Sequence, residues 1–442
     1  MPNDGNFCLD GLVTGERKPH TGFKEAKAVY AYAGARLVDL AKGVIEVHNF
    51  YDFRDLSHLY MEWALTDGQA VFAQGFVTDL TAPPRGSQKL ALGFTPPETA
   101  GFCALNIRFR YKNTCGVFTH GDDMAFCQLV VSDGAMKPGF AVALGGGAVE
   151  ASQTDTLLHV KGQDFHYIFD MVQGAFTQIE KNGVDTITAP LTFDIWRAPT
   201  DNDRNIQWPW RHSGMDRAST HVYRASFVNT GESCAITMGY AIGGYTNQPV
   251  LRGEATWTVD GAGGIHLSTT VDVLENKRMH GEAQLMLPRF GLRFVMPKGT
   301  ENVRYFGYGP GENYVDMRRS AWKGYFETTV DDMFVDYEFP QENGARYGTD
   351  YALFTDARGF GLLVKAESGA FSFNAAHYTN ADLDTAKHRY QLTKLDETIV
   401  HIDYKNNGIG SNSCGPALLE PYRFDERYFT FEVSFAPVQV EA

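Results

Sequence analysis

Ala255-Thr256-Trp257-Thr258-Val259-Asp260-Gly261-Ala262-Gly263-Gly264-Ile265-His266-Leu267-Ser268-Thr269-Thr270-Val271-Asp272-Val273 carries the fold in miniature. Ala255, Trp257 and Val259 alternate with polar residues. After the Asp260–Gly264 turn, Ile265, Leu267, Thr269, Val271 and Val273 alternate again. A period of two puts one set of side chains on one face of a strand, so the stretch reads as two strands joined by a glycine-rich turn. The pattern recurs at Phe429, Phe431, Val433 and Phe435. It appears earlier at Leu59, Met61, Trp63 and Leu65, where Thr66-Asp67-Gly68 supplies a hairpin turn.

Composition points the same way. With 31 Phe, 21 Tyr and 45 Gly in 442 residues, bulky side chains suit pleated surfaces and glycine suits turns. The predicted class is all-β, in more than one domain. Strands between 28 and 118 suit an immunoglobulin-like β-sandwich. The Gly145-Gly146-Gly147 run and the polar Ser152–Thr156 stretch make 119–157 the expected linker. The many strands of 158–442 exceed an immunoglobulin-like domain and predict a large antiparallel sandwich of two sheets. Residues 1–27 read as loop-like, without a period that builds a core. No heptad, short repeat or amphipathic helix is evident.

A net charge of −14 without a long Lys/Arg run excludes nucleic acid and anionic membrane surfaces as partners. No window of about 18 apolar residues exists to span a bilayer. The first twenty residues lack a basic segment followed by an apolar one, so no secretory signal is expected. Six scattered cysteines without CxxC fit a reducing, cytoplasmic setting.

Signatures of generic catalysis (HExxH, a Walker loop, GxSxG) are missing from the sequence. Gly307-Tyr308-Gly309-Pro310-Gly311 has no helix-forming segment after it and reads as a turn, not a phosphate loop. Glycoside hydrolysis needs two carboxylates, and Asp201, Asp203, Glu312 and Glu342 are the candidates. Each lies beside Pro, Gly or Asn, where carboxylates tie loops together. Arg197, Arg204, Arg318, Arg319 and Arg346 stand near enough in sequence to neutralise them. His166 and His377 sit among aromatics as packed histidines. Cys414 lacks a neighbouring histidine to activate it as a nucleophile.

Taken together, several stretches resemble one family. Phe193-Asp194-Ile195-Trp196-Arg197-Ala198-Pro199-Thr200-Asp201-Asn202-Asp203 is similar to the FWRAPxDND stretch of long β-galactosidases of the lactose-operon type, in glycoside hydrolase family 2. Tyr305–Tyr314 and Phe339–Arg346 match its GxGPxENY and PxENGxR stretches. Asp164–Phe169 resembles the opening of the separately encoded small subunit of heterodimeric members. Pro2–Val13 resembles the tail of the catalytic barrel. The likeness runs over essentially the whole chain.

The resemblance implies a domain plan. Residues 1–27 are the exit segment of an otherwise absent (β/α)₈ barrel. Residues 28–118 are an immunoglobulin-like sandwich, and 158–442 are a supersandwich of the galactose-mutarotase type. The family's two catalytic glutamates lie in the barrel, so the chain alone is expected to be inactive and to require a catalytic large subunit or the missing N-terminal half. By the same resemblance Phe7 (through its carbonyl) and Asp10 help hold Na⁺, with Asp10 where the family has Asn. Asn3 falls at a Mg²⁺ site. Neither ion is expected to bind tightly to this chain alone. The loop Gly408–Gly415 corresponds to one that presents a sugar-stacking Trp. Here it is one residue shorter with Cys414 in that place, leaving Asn412 and Cys414 as candidates lining the substrate subsite. A higher oligomer and a galactoside substrate such as lactose complete the expectation. The alternatives are an autonomous carbohydrate-binding or mutarotase-like module, in which a histidine and a carboxylate converge on one cleft, and a structural remnant that associates through exposed apolar surface.

Overall fold

The computed structural model describes residues 11–140, 146–274, 286–410, 413 and 415–440. They form two compact units, one of Gly11–Lys137 with Arg318–Tyr325, the other of the described residues in 138–317 and 326–440.

The smaller unit opens with a helix, α1 (Thr21–Val29), and continues with β1 (Ala33–Asp39), β2 (Val44–Asn49), β3 (Leu59–Thr66), β4 (Val71–Val77), β5 (Ser87–Ala91), β6 (Phe102–Tyr111) and β7 (Asp123–Asp133). Their order is β1-β2-β5 in one sheet and β4-β3-β6-β7 in the other. This is the immunoglobulin-like sandwich expected. Ile45, Val47, Met61, Leu65, Leu105 and Ile107 close its core. Trp63 pairs across β3 and β4 with Gly75, where a Cβ would stand 2.9 Å from the indole. The glycine is what lets the ring lie over the neighbouring strand.

The larger unit contains β8 (Glu150–Thr154), β9 (Leu157–Lys161), β10 (Phe165–Asp170), β11 (Ala175–Lys181), β12 (Val184–Asp185), β13 (Ala189–Asp194), β14 (Ala218–Asn229), β15 (Ser233–Gly244), β16 (Leu251–Asp260) and β17 (Ile265–Val273). It continues with β18 (Arg289–Met296), β19 (Asn302–Gly309), β20 (Trp322–Thr329, of which 322–325 are counted with the smaller unit), β21 (Arg346–Thr349), β22 (Tyr351–Thr355), β23 (Phe360–Ala366), β24 (Phe371–Ala376), β25 (Thr398–Asn406) and β26 (Tyr428–Gln439). One sheet runs β21-β24-β25-β18-β13-β11-β10-β9-β8, with β12 added to β11. The other runs β14-β15-β16-β17-β26-β23-β22-β19-β20. All the pairings given by register are antiparallel, and the opening hairpin pairs Trp257 with Leu267 as its alternation requires. Aromatic rings from the two sheets meet in the core. Phe193 stacks on Tyr240 at 4.6 Å, and Phe176 meets Trp257 edge-on at 5.4 Å.

Three local expectations need correction. Residues 21–29, read as loop, are helical: Lys, Glu and Ala favour the helix, but only Thr21 is buried, so no apolar stripe marked it. Short helices also occur at Gln207–His212, Val330–Met333 and Asn380–Thr385. The stretch 119–157, expected to be a linker, holds β7 and β8. Their mostly half-buried or exposed residues blur the alternation that marks central strands.

Candidate functional site

The motif residues gather at one end of β13, β18 and β25, within the larger unit. Alternation along these strands sends Phe193, Leu292 and Ile402 into the core. Thr192, Arg293 and His401, paired across the same three strands, stand on the opposite face. The next row is Asp194, Gly291 and Asp403. A Cβ on Gly291 would meet Asp403 Oδ1 at 2.5 Å, so only glycine fits between the two carboxylates.

Arg289 is the buried cation of this end. Its Nη2 donates to Glu342 Oε1 at 2.8 Å, its Nε to Asn406 Oδ1 at 3.3 Å, and Asp403 Oδ2 lies 3.6 Å away. Burial opposes its charge, but Asp403, Glu342 and Asp194 more than compensate and raise its pKa. Burial pushes the Asp403 carboxyl up to about 7, with Arg289 opposing the rise and Glu342 adding to it. Burial would also raise Asp194, yet the neighbouring His401 holds it below the usual carboxylate range. His401 is itself lowered, first by burial and then by Arg289.

A second buried ion pair lies in the FWRAPxDND-like segment. Arg197 grips Asp203 through Nε–Oδ2 (3.1 Å) and Nη2–Oδ1 (2.8 Å), both side chains being almost wholly buried. The remaining guanidinium valences reach the chain leaving β25. Nη1 donates to Asn407 O (2.6 Å) and Nη2 to Gly408 O (3.2 Å). Asn202 Nδ2 donates to Ile409 O at 2.7 Å. Asp316 accepts the N–H groups of Ile409 (3.0 Å) and Gly410 (2.8 Å). Gly408 lies so close beneath this carboxylate that a Cβ would be 2.9 Å from it. Together these bonds fix the backbone at 407–410.

The candidate carboxylates are thus engaged by the fold. Asp203 is held by Arg197, as foreseen. Asp201 exchanges contacts with the amide of Gln341. Glu312 accepts the hydroxyl of Tyr337 and the N–H of Gly344. Glu342 is paired with Arg289, 53 positions earlier in the chain, a partner that local sequence could not suggest. His166 Nε2 faces His159 Nδ1 at 3.1 Å. His377 is tied to Glu301 Oε2 (2.9 Å) and Glu397 O (2.8 Å). The strand before His377, β24, lies five steps from β10 in the sheet. At about 4.8 Å per step, that sets His166 and His377 roughly 24 Å apart. The two histidines therefore belong to different parts of the sheet, and the carboxylate that His377 meets is Glu301. Gly307-Tyr308-Gly309, read as part of a turn, are instead the last residues of β19, and the chain leaves the strand only at Pro310.

Asn3, Phe7, Asp10, Asn412 and Cys414 lie outside the described residues. Among the described residues, no group of three or more His, Cys, Asp or Glu is arranged to hold a metal. Cys103, Cys115, Cys127 and Cys234 are free thiols. No helix among the described residues is long and apolar enough to cross a membrane. Asp316, Asp194, Arg289, His401 and Asp403 were not singled out from sequence. Asp194, inside the Phe193–Asp203 stretch, and Asp316, two residues beyond Tyr314, lay in or beside motifs already noted; the others offered no local signal.

Fold and site together define a two-unit all-β protein whose supersandwich builds a buried polar foundation under one loop. The chain belongs to the β-galactosidase small-chain family: residues 161–435 match the family described as "Beta galactosidase small chain". Residues 45–132 match "Beta-galactosidase, domain 4". A β-galactosidase of Actinobacillus pleuropneumoniae is 34% identical over 97% of this chain and 41% of its own length. One of Staphylococcus xylosus is 31% identical over 98% of this chain and 43% of its own. The chain therefore spans about two fifths of these relatives. A galactose 1-epimerase structure from Lactobacillus acidophilus NCFM overlays 67% of this chain and all of its own at a TM-score of 0.37 and 9% identity. The fold assignment rests on the strand pairing and not on that overlay.

Proposed function

We propose that this chain is the C-terminal part, or small subunit, of a retaining β-galactosidase and acts only with a catalytic large subunit. The observation that supports it most is the family match over 161–435 in a chain of two fifths the relatives' length, whose own motif carboxylates are bound up in loop ties. In the assembled enzyme a glutamate of the partner attacks the anomeric carbon, and a second protonates the leaving oxygen. Residues 1–27 belong with the partner's barrel, 28–118 with the sandwich beside it, and 158–442 with the rim.

This chain's contribution is positional. Arg197, Asn202 and Asp316 fix the backbone at 407–410, and the loop beyond them brings Asn412 and Cys414 to the subsite that receives the aglycone or acceptor. With Cys414 in place of an aromatic, that subsite is wider and stacks sugar less. Phe7 O, Asp10 and Asn3 offer oxygen donors alone, a set that fits the hard ions Na⁺ and Mg²⁺. Such ions would supply a fixed positive charge beside the sugar, with their remaining donors coming from the partner. The setting is cytoplasmic, and β-galactosides such as lactose are the substrates.

Assembly tests this reading. Mixed with the remainder of the Actinobacillus pleuropneumoniae relative, the part this chain does not match, the protein should co-elute as one species on size exclusion. Separate elution at micromolar concentrations of both would contradict it.

A further inference from the structure

A cleft of about 650 Å³ opens on the outer side of β13 and β18, within the larger unit. Its size falls within the range of small-molecule sites. Asp194, Thr192 and Arg293 line its floor. Thr220 of β14, Trp196 and Asn380 line its walls.

The polar groups there are unevenly satisfied. Asp194 Oδ1 accepts the N–H of Trp196 at 3.0 Å. Its Oδ2 lies 3.3 Å from His401 Nδ1 and 3.5 Å from Asn380 Nδ2, which also donates to Trp196 O at 2.7 Å. The carboxylate is therefore held in place and charged, while its side chain keeps 17% of its exposure. Arg293 is half-buried and has no hydrogen-bond or ion-pair partner among the described residues. The Thr220 hydroxyl is buried from solvent and also lacks a partner among them. A buried hydroxyl left unpaired costs about 1–3 kcal/mol, and an unpaired guanidinium in a cleft is similarly out of place unless something meets it.

The ligand class follows from what these groups can exchange. A guanidinium only donates, an ionised carboxylate only accepts, and a threonine hydroxyl does both. A simple anion would satisfy Arg293 but would face Asp194. A simple cation would meet the reverse conflict. Groups that both donate and accept satisfy all of them, and several such groups on one small rigid frame are vicinal hydroxyls. We propose that this cleft is a second saccharide site, binding the hydroxyls of a single pyranoside between Arg293, Asp194 and Thr220. It goes beyond the role assigned to the chain above, because it needs neither the partner subunit nor turnover.

The test uses the full 442-residue chain with methyl β-D-galactopyranoside and, separately, D-galacturonate, by saturation-transfer difference NMR. Wild-type protein should bind the neutral pyranoside saturably. Arg293→Met and Thr220→Val should each weaken it at least tenfold while leaving the thermal midpoint and near-UV circular dichroism unchanged. Arg252→Met, in a different surface cleft, should bind as wild type. Absence of saturable binding by the folded wild-type chain would overturn the proposal. So would binding indifferent to both cleft substitutions, or binding of galacturonate alone. None of those results bears on assembly with a catalytic subunit.

Discussion

Arg197 and Asp203 illustrate how much rests on one buried pair. Replacing Arg197 by Met removes the partner of a carboxylate with no access to water and breaks two bonds to the chain at 407–408. The expected loss is roughly 3–5 kcal/mol, read as a drop in the urea midpoint at unchanged slope. Asp403 carries a different prediction. Its folded pKa lies above that of an unfolded aspartate, so between the ordinary carboxylate range and about pH 7 the native state holds more protons. Its contribution is present at low pH and is lost as pH rises through 7. Asp403→Asn, neutral throughout, should gain on the wild type between pH 5.5 and pH 8 in thermal midpoint. A constant difference across that range would contradict the assignment. Pairing was legible for Asp203, six residues from Arg197, because the motif set both side by side. It was not legible for Glu342, whose arginine comes from another strand. No local pattern encodes a partner that the sheet order supplies.

Among elements, the hairpin at 251–273 was readable because both strands are central and bury alternate residues, broken only at the half-buried Gly253. Helix α1 and strands β7 and β8 were not, because exposure there removes the apolar period on which such readings depend. The loop after β25 was recognised by its sequence, but its foundation was hidden. Two of its backbone N–H groups are held by Asp316, more than ninety residues earlier. Asp316→Ala should therefore leave the sheets intact and loosen only this segment. Hydrogen exchange should show Ile409 and Gly410 exchanging at least tenfold faster, with the β25 amides unchanged. Equal protection in the variant would show that Arg197 and Asn202 suffice.

For the whole molecule, the large core between the ten- and nine-stranded sheets explains why Arg197, Asp203, Glu312 and Glu342 serve architecture: they tie loops together at the end of the sandwich. The fold class and the family could be read from strand periodicity and the spaced motifs. The buried Arg289 cluster and the Arg293 cleft emerge only when β13, β18 and β25 are laid side by side. Hydrolysis of a chromogenic aryl β-galactoside should be measured for this chain alone, for the remainder of the Actinobacillus pleuropneumoniae relative alone, and for the two combined. Activity confined to the combination is the predicted result. Hydrolysis by this chain alone, abolished by Glu312→Gln or Glu342→Gln, would contradict the account.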